Sequence, residues 1–128
     1  MNNKVLIIQA NYYKDISTAL LKSAKNELRN FAKINVIYVP GVFEIPVVIS
    51  KNLKKYDGFV ALGCVIKGQT PHFDFISKST TDAIMNISVD SKKPVGNGII
   101  TCLNKNQAIA RGNKGREAAN AVKTILSL

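Results

Sequence analysis

A chain of 128 residues, 46% hydrophobic and 20% charged, has the size and composition of one domain with one core, which excludes a disordered or low-complexity protein. The formal net charge of +10 invites an acidic partner, yet no basic patch interleaved with aromatics and no nucleic-acid-binding motif accompanies it, so nucleic acid is not the expected partner. No apolar run approaches the roughly 20 residues that span a bilayer, and two distant cysteines with a single histidine make no metal-ligand spacing, so neither membrane nor metal is expected.

Met1-Asn2-Asn3-Lys4 runs almost directly into an apolar segment, which leaves no room for a signal peptide and leads us to expect a cytoplasmic chain. Residues 4–10 read as a buried strand. Leu20, Leu21, Ala24, Leu28 and Phe31 recur at helical spacing and predict a helix over 17–31 with Ser17 as its N-cap. A second strand over 34–39 ends at the turn signal Pro40-Gly41, and a short helix over 44–54 carries Pro46 in its first turn. A third strand over 58–66 leads to a long helix over 71–88, with Thr70 as N-cap and Pro71 at the first helical position. A fourth strand over 95–102 follows. Asn104 and Gln107 then form a capping pair for a helix over 105–111. The last helix covers 114–126, with Ala118, Val122, Ile125 and Leu126 expected to face inward.

Strands alternate with helices, and the strands are continuous apolar runs, as in a parallel sheet covered on both faces. The expected fold is a three-layer α/β/α sandwich around a four-stranded parallel sheet with flavodoxin-like, doubly wound connections, and residues 1–128 form a single domain. Ligands in such folds sit beyond the carboxyl ends of the strands. Four segments leave the sheet there: 11–13, 40–44, 67–70 and 103–104. Cys64 and Cys102 lie in apolar strands and read as buried free thiols. Lys22, Lys25, Arg29 and Lys33 form a basic stripe that reads as a solvated helix face.

One stretch carries chemistry: Gly63-Cys64-Val65-Ile66-Lys67-Gly68-Gln69-Thr70-Pro71-His72-Phe73-Asp74. An apolar strand enters a glycine-containing turn, and a helix opens with the chain's one histidine in its first turn. Backbone N–H groups, a positive helix end and a titratable base come together, as suits an anionic small molecule and proton transfer.

Three stretches in register resemble the 6,7-dimethyl-8-ribityllumazine synthases: Pro40-Gly41-Val42-Phe43-Glu44-Ile45-Pro46, the 61–74 segment, and Asn113-Lys114-Gly115 followed by Glu117-Ala118-Ala119. The resemblance implies condensation of 5-amino-6-(ribitylamino)uracil with 3,4-dihydroxy-2-butanone 4-phosphate. Imine formation, phosphate elimination and ring closure with loss of water follow, without metal or organic cofactor. It makes His72 the general acid/base, a task suited to imidazole near neutral pH. It assigns the butanone phosphate to Gln69, Thr70 and Arg111, the arginine reaching over from a neighbouring subunit. It sets Tyr12 on the pyrimidine face, with the adjacent Tyr13 leaving the register open by one residue. Val42, Phe43 and Glu44 line the ribityl and pyrimidine pocket, and Cys64, Val65 and Ile66 meet the pyrimidine edge. Lys114 lies near the pyrimidine carbonyl or balances phosphate charge. Asn97 stands where many members of this family present a phenylalanine across the subunit boundary.

Each residue also has a plainer reading: a capping or surface histidine, a helix-capping threonine, a cation near a helix end, a half-buried strand-end aromatic, sheet core. The resemblance further implies a homo-oligomer, expected as a pentamer or a dimer of pentamers, and association with a riboflavin synthase. The short connection between Arg111 and Asn113 and the brief N-terminal segment argue against a capsid. Three other readings are an archaeal-type riboflavin synthase, a non-catalytic flavin- or lumazine-binding homologue, and a basic nucleic-acid-binding domain resting on charge alone.

Overall fold

A computed structural model describes residues 2–68 and 71–128. Four strands and five helices alternate: β1 Asn3–Ala10, α1 Lys14–Leu28, β2 Ala32–Val39, a 3₁₀ turn Val42–Glu44 leading into α2 Ile45–Lys51, β3 Gly58–Ile66, α3 His72–Ser91, β4 Val95–Cys102, α4 Lys105–Ala110 and α5 Lys114–Leu126. The strands pair in parallel in the order β2-β1-β3-β4. The order reverses direction between β1 and β3, which opens a crevice at the carboxyl end of the sheet. The α/β fold with flavodoxin-like winding is thus the one expected.

Successive residues of the central strands point to opposite faces, so each strand feeds two cores. Val5 and Ile7 of β1 and Val60 and Leu62 of β3 pack with Leu20, Ala24 and Leu28 of α1 and with Ala119 and Val122 of α5. Leu6, Ile8, Phe59 and Ala61 point the other way, against Ile45 and Ile49 of α2 and Ile84 of α3. All of these except Ile84 are 0% exposed, and Ile84 is 4%. This explains why β1 and β3 read as largely unbroken apolar runs, whereas the edge strand β4 alternates buried residues with partly or fully exposed ones and the edge strand β2 is fully buried only at its two ends.

Several boundaries and caps differ from the sequence reading. Helix α1 begins at Lys14 with Tyr13 at its N-cap position, so Ser17 is not the cap. Ser17 lies inside the first turn, where its hydroxyl donates to the carbonyl of Ala10 at 3.0 Å and ties the helix to the end of β1. Helix α3 starts at His72 with Pro71 just outside it, and it runs to Ser91, where Lys92 stops it in the left-handed region (φ 60). The Thr70 cap lies outside the described residues. The Asn104 cap forms as expected: Asn104 Oδ1 accepts from the N–H of Gln107 at 2.9 Å, and Gln107 Oε1 accepts from the N–H of Leu103 at 2.8 Å. Ile125 does not face inward. In the last turn of α5 it is Val122 and Leu126 that turn to the core, Leu126 reaching Gly58 of β3, and Ile125 beside them is half exposed.

The basic stripe Lys22, Lys25, Arg29 and Lys33 is exposed throughout, as a solvated face should be. More informative are exposed apolar side chains on the opposite layer. Val47 of α2 and Phe75, Met85 and Val89 of α3 are each more than half exposed, although the core beneath them is already filled. Among the described residues no helix is long and apolar enough to cross a membrane.

Candidate active site

A cleft of about 680 Å³ opens at the carboxyl ends of β1 and β3, within the usual size range of small-molecule sites. Four chain segments wall it, each delivered by a strand exit. The exit of β1 supplies Ala10, Tyr12 and Tyr13. The exit of β2 supplies Gly41, Val42, Phe43 and Glu44. The end of β3 supplies Cys64, Val65 and Ile66, and the first turns of α3 supply His72 and Ile76.

Local sequence explains how these groups come to face one space. Pro40-Gly41 ends β2, and the N–H of Glu44 returns to the carbonyl of Gly41 at 3.2 Å, closing the 3₁₀ turn. Val42 is buried by this turn and Phe43 is turned outward, 60% exposed. Pro46 then starts α2, where its missing N–H costs nothing. After β3, His72 occupies the first position of α3, and the N–H groups of Asp74 and Phe75 return to the carbonyl of Pro71.

The two tyrosines divide their roles. Tyr13 is half-buried against the core, while Tyr12 is 74% exposed, and their rings meet edge to face with centroids 4.9 Å apart and planes at 78°. Of the two, Tyr12 presents the more exposed ring to the cleft, and Tyr13 lies against the core behind it. Burial raises the Tyr13 phenol above its ordinary value, with smaller contributions from Cys64 and Tyr12. Cys64 is only half-buried, not buried as the sequence suggested, because it lies at the cleft floor; Cys102 is buried. Desolvation, assisted by Cys102, pushes the Cys64 thiol up to about 11, so it is a neutral wall rather than a nucleophile at neutral pH.

A second cleft, about 660 Å³, lies along the edge strand β4. Asn97 and Thr101 of β4 line it together with Arg111, Asn113, Lys114 and Glu117 from the α4–α5 turn. Arg111 Nη1 donates to the carbonyl of Thr101 at 3.2 Å, which lays the guanidinium along the strand end. Asn97 Oδ1 accepts from the N–H of Ile99 at 3.0 Å, which leaves its amide NH₂ as the outward donor.

The structure therefore divides the predicted residues into two groups. Tyr12, Val42, Phe43, Glu44, Cys64, Val65, Ile66 and His72 share the first cleft; Asn97, Arg111 and Lys114 share the second; no lining residue belongs to both. Gln69 and Thr70 lie outside the described residues. Sequence reading did not single out Ile76 or Glu117 as site residues. Both were within reach of helical spacing: Ile76 is one turn after His72, and Glu117 is one turn after Lys114.

Comparison with known proteins follows this geometry. The family profile described as 6,7-dimethyl-8-ribityllumazine synthase matches residues 2–128. The 6,7-dimethyl-8-ribityllumazine synthase of Agrobacterium fabrum is 43% identical, over 97% of this chain and 93% of its own length. That of Bartonella tribocorum is 42% identical over 97% and 88%, and 6,7-dimethyl-8-ribityllumazine synthase 1 of Rhodopseudomonas palustris is 41% identical over 98% and 85%. On a match that spans nearly every residue, the chain belongs to the 6,7-dimethyl-8-ribityllumazine synthase family.

Proposed function

We infer that this chain, acting as one domain over residues 1–128, condenses 5-amino-6-(D-ribitylamino)uracil with 3,4-dihydroxy-2-butanone 4-phosphate. The products are 6,7-dimethyl-8-ribityllumazine, phosphate and water, in the penultimate step of riboflavin synthesis. Family membership supports the reaction. The single observation that carries the site is the cleft in which an exposed aromatic, Tyr12, a carboxylate, Glu44, and the one imidazole of the chain, His72, share a space of small-molecule size.

The chemistry maps onto these groups in order. The ring of Tyr12 covers the pyrimidine face, and the strand-end backbone of Cys64, Val65 and Ile66 meets its edge. Glu44 accepts from ribityl hydroxyls beside Val42 and Phe43. The 5-amino group attacks the ketone of the phosphorylated substrate and water leaves to give an imine. A proton is then removed, and phosphate departs. The enol so formed takes a proton at its terminal carbon and becomes a new ketone, and attack of the ribitylamino nitrogen on that ketone, with loss of a second water, closes the ring. His72 accepts and returns protons in these steps. Backbone N–H groups near the start of α3, with Gln69 and Thr70, hold the phosphate, and Arg111 offsets charge on the leaving group. Lys114 and Asn97 lie beside it on the same supplied surface.

That surface comes from a neighbouring subunit. One chain alone has the imidazole cleft and the cationic cleft apart, and the apolar face of α2 and α3 offers area for assembly. We place the chain in the cytoplasm as a homo-oligomer, a pentamer or a dimer of pentamers, delivering its product to a riboflavin synthase.

An absorbance assay of lumazine formation from the two purified substrates tests this. Wild type forms product, and His72→Ala lowers kcat by roughly 10–100-fold, at or below the usual span for general acid–base catalysis because water replaces part of the proton transfer. Absence of product from the wild-type protein, with a ribityllumazine still bound, would replace the enzyme by a binding protein.

A further inference from the structure

We propose that Ser23, on α1 and outside both clefts, is a positioning residue for the phosphorylated substrate, acting through Arg111 and Lys114. The inference rests on the phosphate role given to Arg111 above.

Ser23 Oγ stands at the junction of α1 with the α4–α5 turn. It lies 2.9 Å from the carbonyl oxygen of Gly112, 3.0 Å from that of Leu20, and 3.1 Å from the backbone nitrogen of Arg116. A hydroxyl has one proton to donate and two lone pairs to accept with. The proton is shared between the two carbonyls, and the N–H of Arg116 donates to the oxygen. Arg116 is in the first turn of α5, where N–H groups have no partner within their own helix. Asn113, at the N-cap position of α5, makes no side-chain cap bond. Helix α5 is therefore capped by a side chain from another helix, 93 residues earlier in the sequence.

The same hydroxyl fixes the turn that carries the cations. Only Gly112 and Asn113 separate Arg111 from Lys114, and the N–H of Lys114 closes the turn on the carbonyl of Arg111 at 3.0 Å. Gly112 has no side chain to hold its backbone, so the bond to Ser23 supplies that restraint. Close packing makes the bond possible. A Cβ on Gly115 would lie 2.1 Å from the carbonyl oxygen of Leu20 and 2.6 Å from Ser23 Oγ, so the α5 backbone rests directly on α1 at this point. Arg111 is held at its other end by Thr101, and with both ends fixed its guanidinium and the Lys114 ammonium share the second cleft. Loss of the Ser23 hydroxyl frees the turn without removing either cation. The cost falls on orientation, and orientation matters most for a planar, two-pronged anion ligand such as Arg.

The test is steady-state kinetics of the intact oligomer with each substrate varied in turn, together with competition by inorganic phosphate. Ser23→Ala is expected to raise KM for the phosphorylated substrate, and the inhibition constant of phosphate, by about three- to tenfold, the scale of one lost hydrogen bond. KM for the pyrimidine substrate stays within about twofold, because the groups proposed to hold it most closely, Tyr12, Glu44 and the end of β3, lie in the first cleft, apart from Ser23 and the α4–α5 turn. Ser23→Cys, which keeps the volume but bonds weakly, behaves like alanine, and Ser23→Thr, which keeps the hydroxyl, restores the wild-type ratio. Adding Ser23→Ala to the Arg111→Ala/Lys114→Ala double variant costs no further affinity for phosphate. Equal shifts in both substrates, or an unmoved phosphate KM in a variant that assembles normally, would overturn the proposal. The Arg111→Ala control separates the two readings. If it shifts the phosphate KM and Ser23→Ala does not, the positioning role alone fails; if it shifts nothing, the phosphate role of Arg111 fails and the role of Ser23 with it.

Discussion

Gly63 in β3 and Val42 in the 3₁₀ turn lie in direct contact: a Cβ on Gly63 would sit 2.5 Å from Val42 Cγ1 and 3.1 Å from the Cβ of Ala10. The turn that carries Phe43 and Glu44 is seated on the strand end by this missing side chain. Gly63→Ala must push Val42 outward and tilt the cleft wall. We expect a loss of about 1–3 kcal/mol in stability, the usual cost of overpacking, together with a raised KM for the pyrimidine substrate. Denaturant unfolding and steady-state kinetics read the two effects separately.

Cys64 sets a pH dependence. Its folded thiol titrates at about 11, against an ordinary value of 9.0. The folded state keeps the proton where the unfolded chain releases it, so its contribution to stability is complete below pH 9 and is lost as pH rises toward 11. The rate of alkylation by iodoacetamide should climb through this window with an inflection near 11, with little reaction at pH 7. An inflection near 9 would show that the cleft floor is open to water. A bound pyrimidine substrate should slow the reaction further by covering the thiol.

If His72 and Arg111 of different chains serve one site, two impaired variants should repair each other. His72→Ala oligomers and Arg111→Ala oligomers, mixed, dissociated and reassembled, are expected to regain activity that neither has alone, because some junctions then join an intact cleft to an intact arginine. Activity that stays at the level of the separate variants would mean that each chain completes its own site.

Asn97 is exposed on β4, and its side-chain oxygen is already engaged by the N–H of Ile99. Asn97→Phe should leave stability within about 0.5 kcal/mol, as for most surface changes. It should lower KM for the pyrimidine substrate several-fold by adding a stacking face on the scale of about 0.5–1.5 kcal/mol. An unchanged KM would mean that residue 97 does not reach the pyrimidine.

Much of this was legible in one dimension. The spans of β3 and β4 and of α5 match the sequence reading to the residue, because each is bounded by a chemical signal: polar or Pro-containing turns before the strands, Asn113-Lys114-Gly115 before the helix. The start of α1 was misjudged for an equally definite reason. Ser17 looks like a cap, but its hydroxyl has a better acceptor in the carbonyl of Ala10, which only the fold brings near. Likewise, apolar spacing marks Ile125 as inward, but only packing decides which apolar side chains of a last turn are covered, and here it covers Val122 and Leu126 and leaves Ile125 half exposed.

The sequence by itself determined the alternation of elements and the parallel sheet, because hydrophobic period and turn chemistry are local quantities, while the resemblance of its motifs to a known family pointed to eight of the residues that line the first cleft and three that line the second. Tertiary structure decided what distance along the chain conceals. It exposed the ring of Tyr12 and half-buried that of Tyr13, a difference that two adjacent tyrosines in a sequence do not show. It separated His72 from Arg111 into two clefts on one chain, because β3 feeds the crevice beside β1 while β4 takes the sheet edge. It also joined Ser23 to Gly112 and Arg116 across some 90 residues, a contact that no local pattern encodes, because it exists only where two helix backbones are packed close enough to share one hydroxyl.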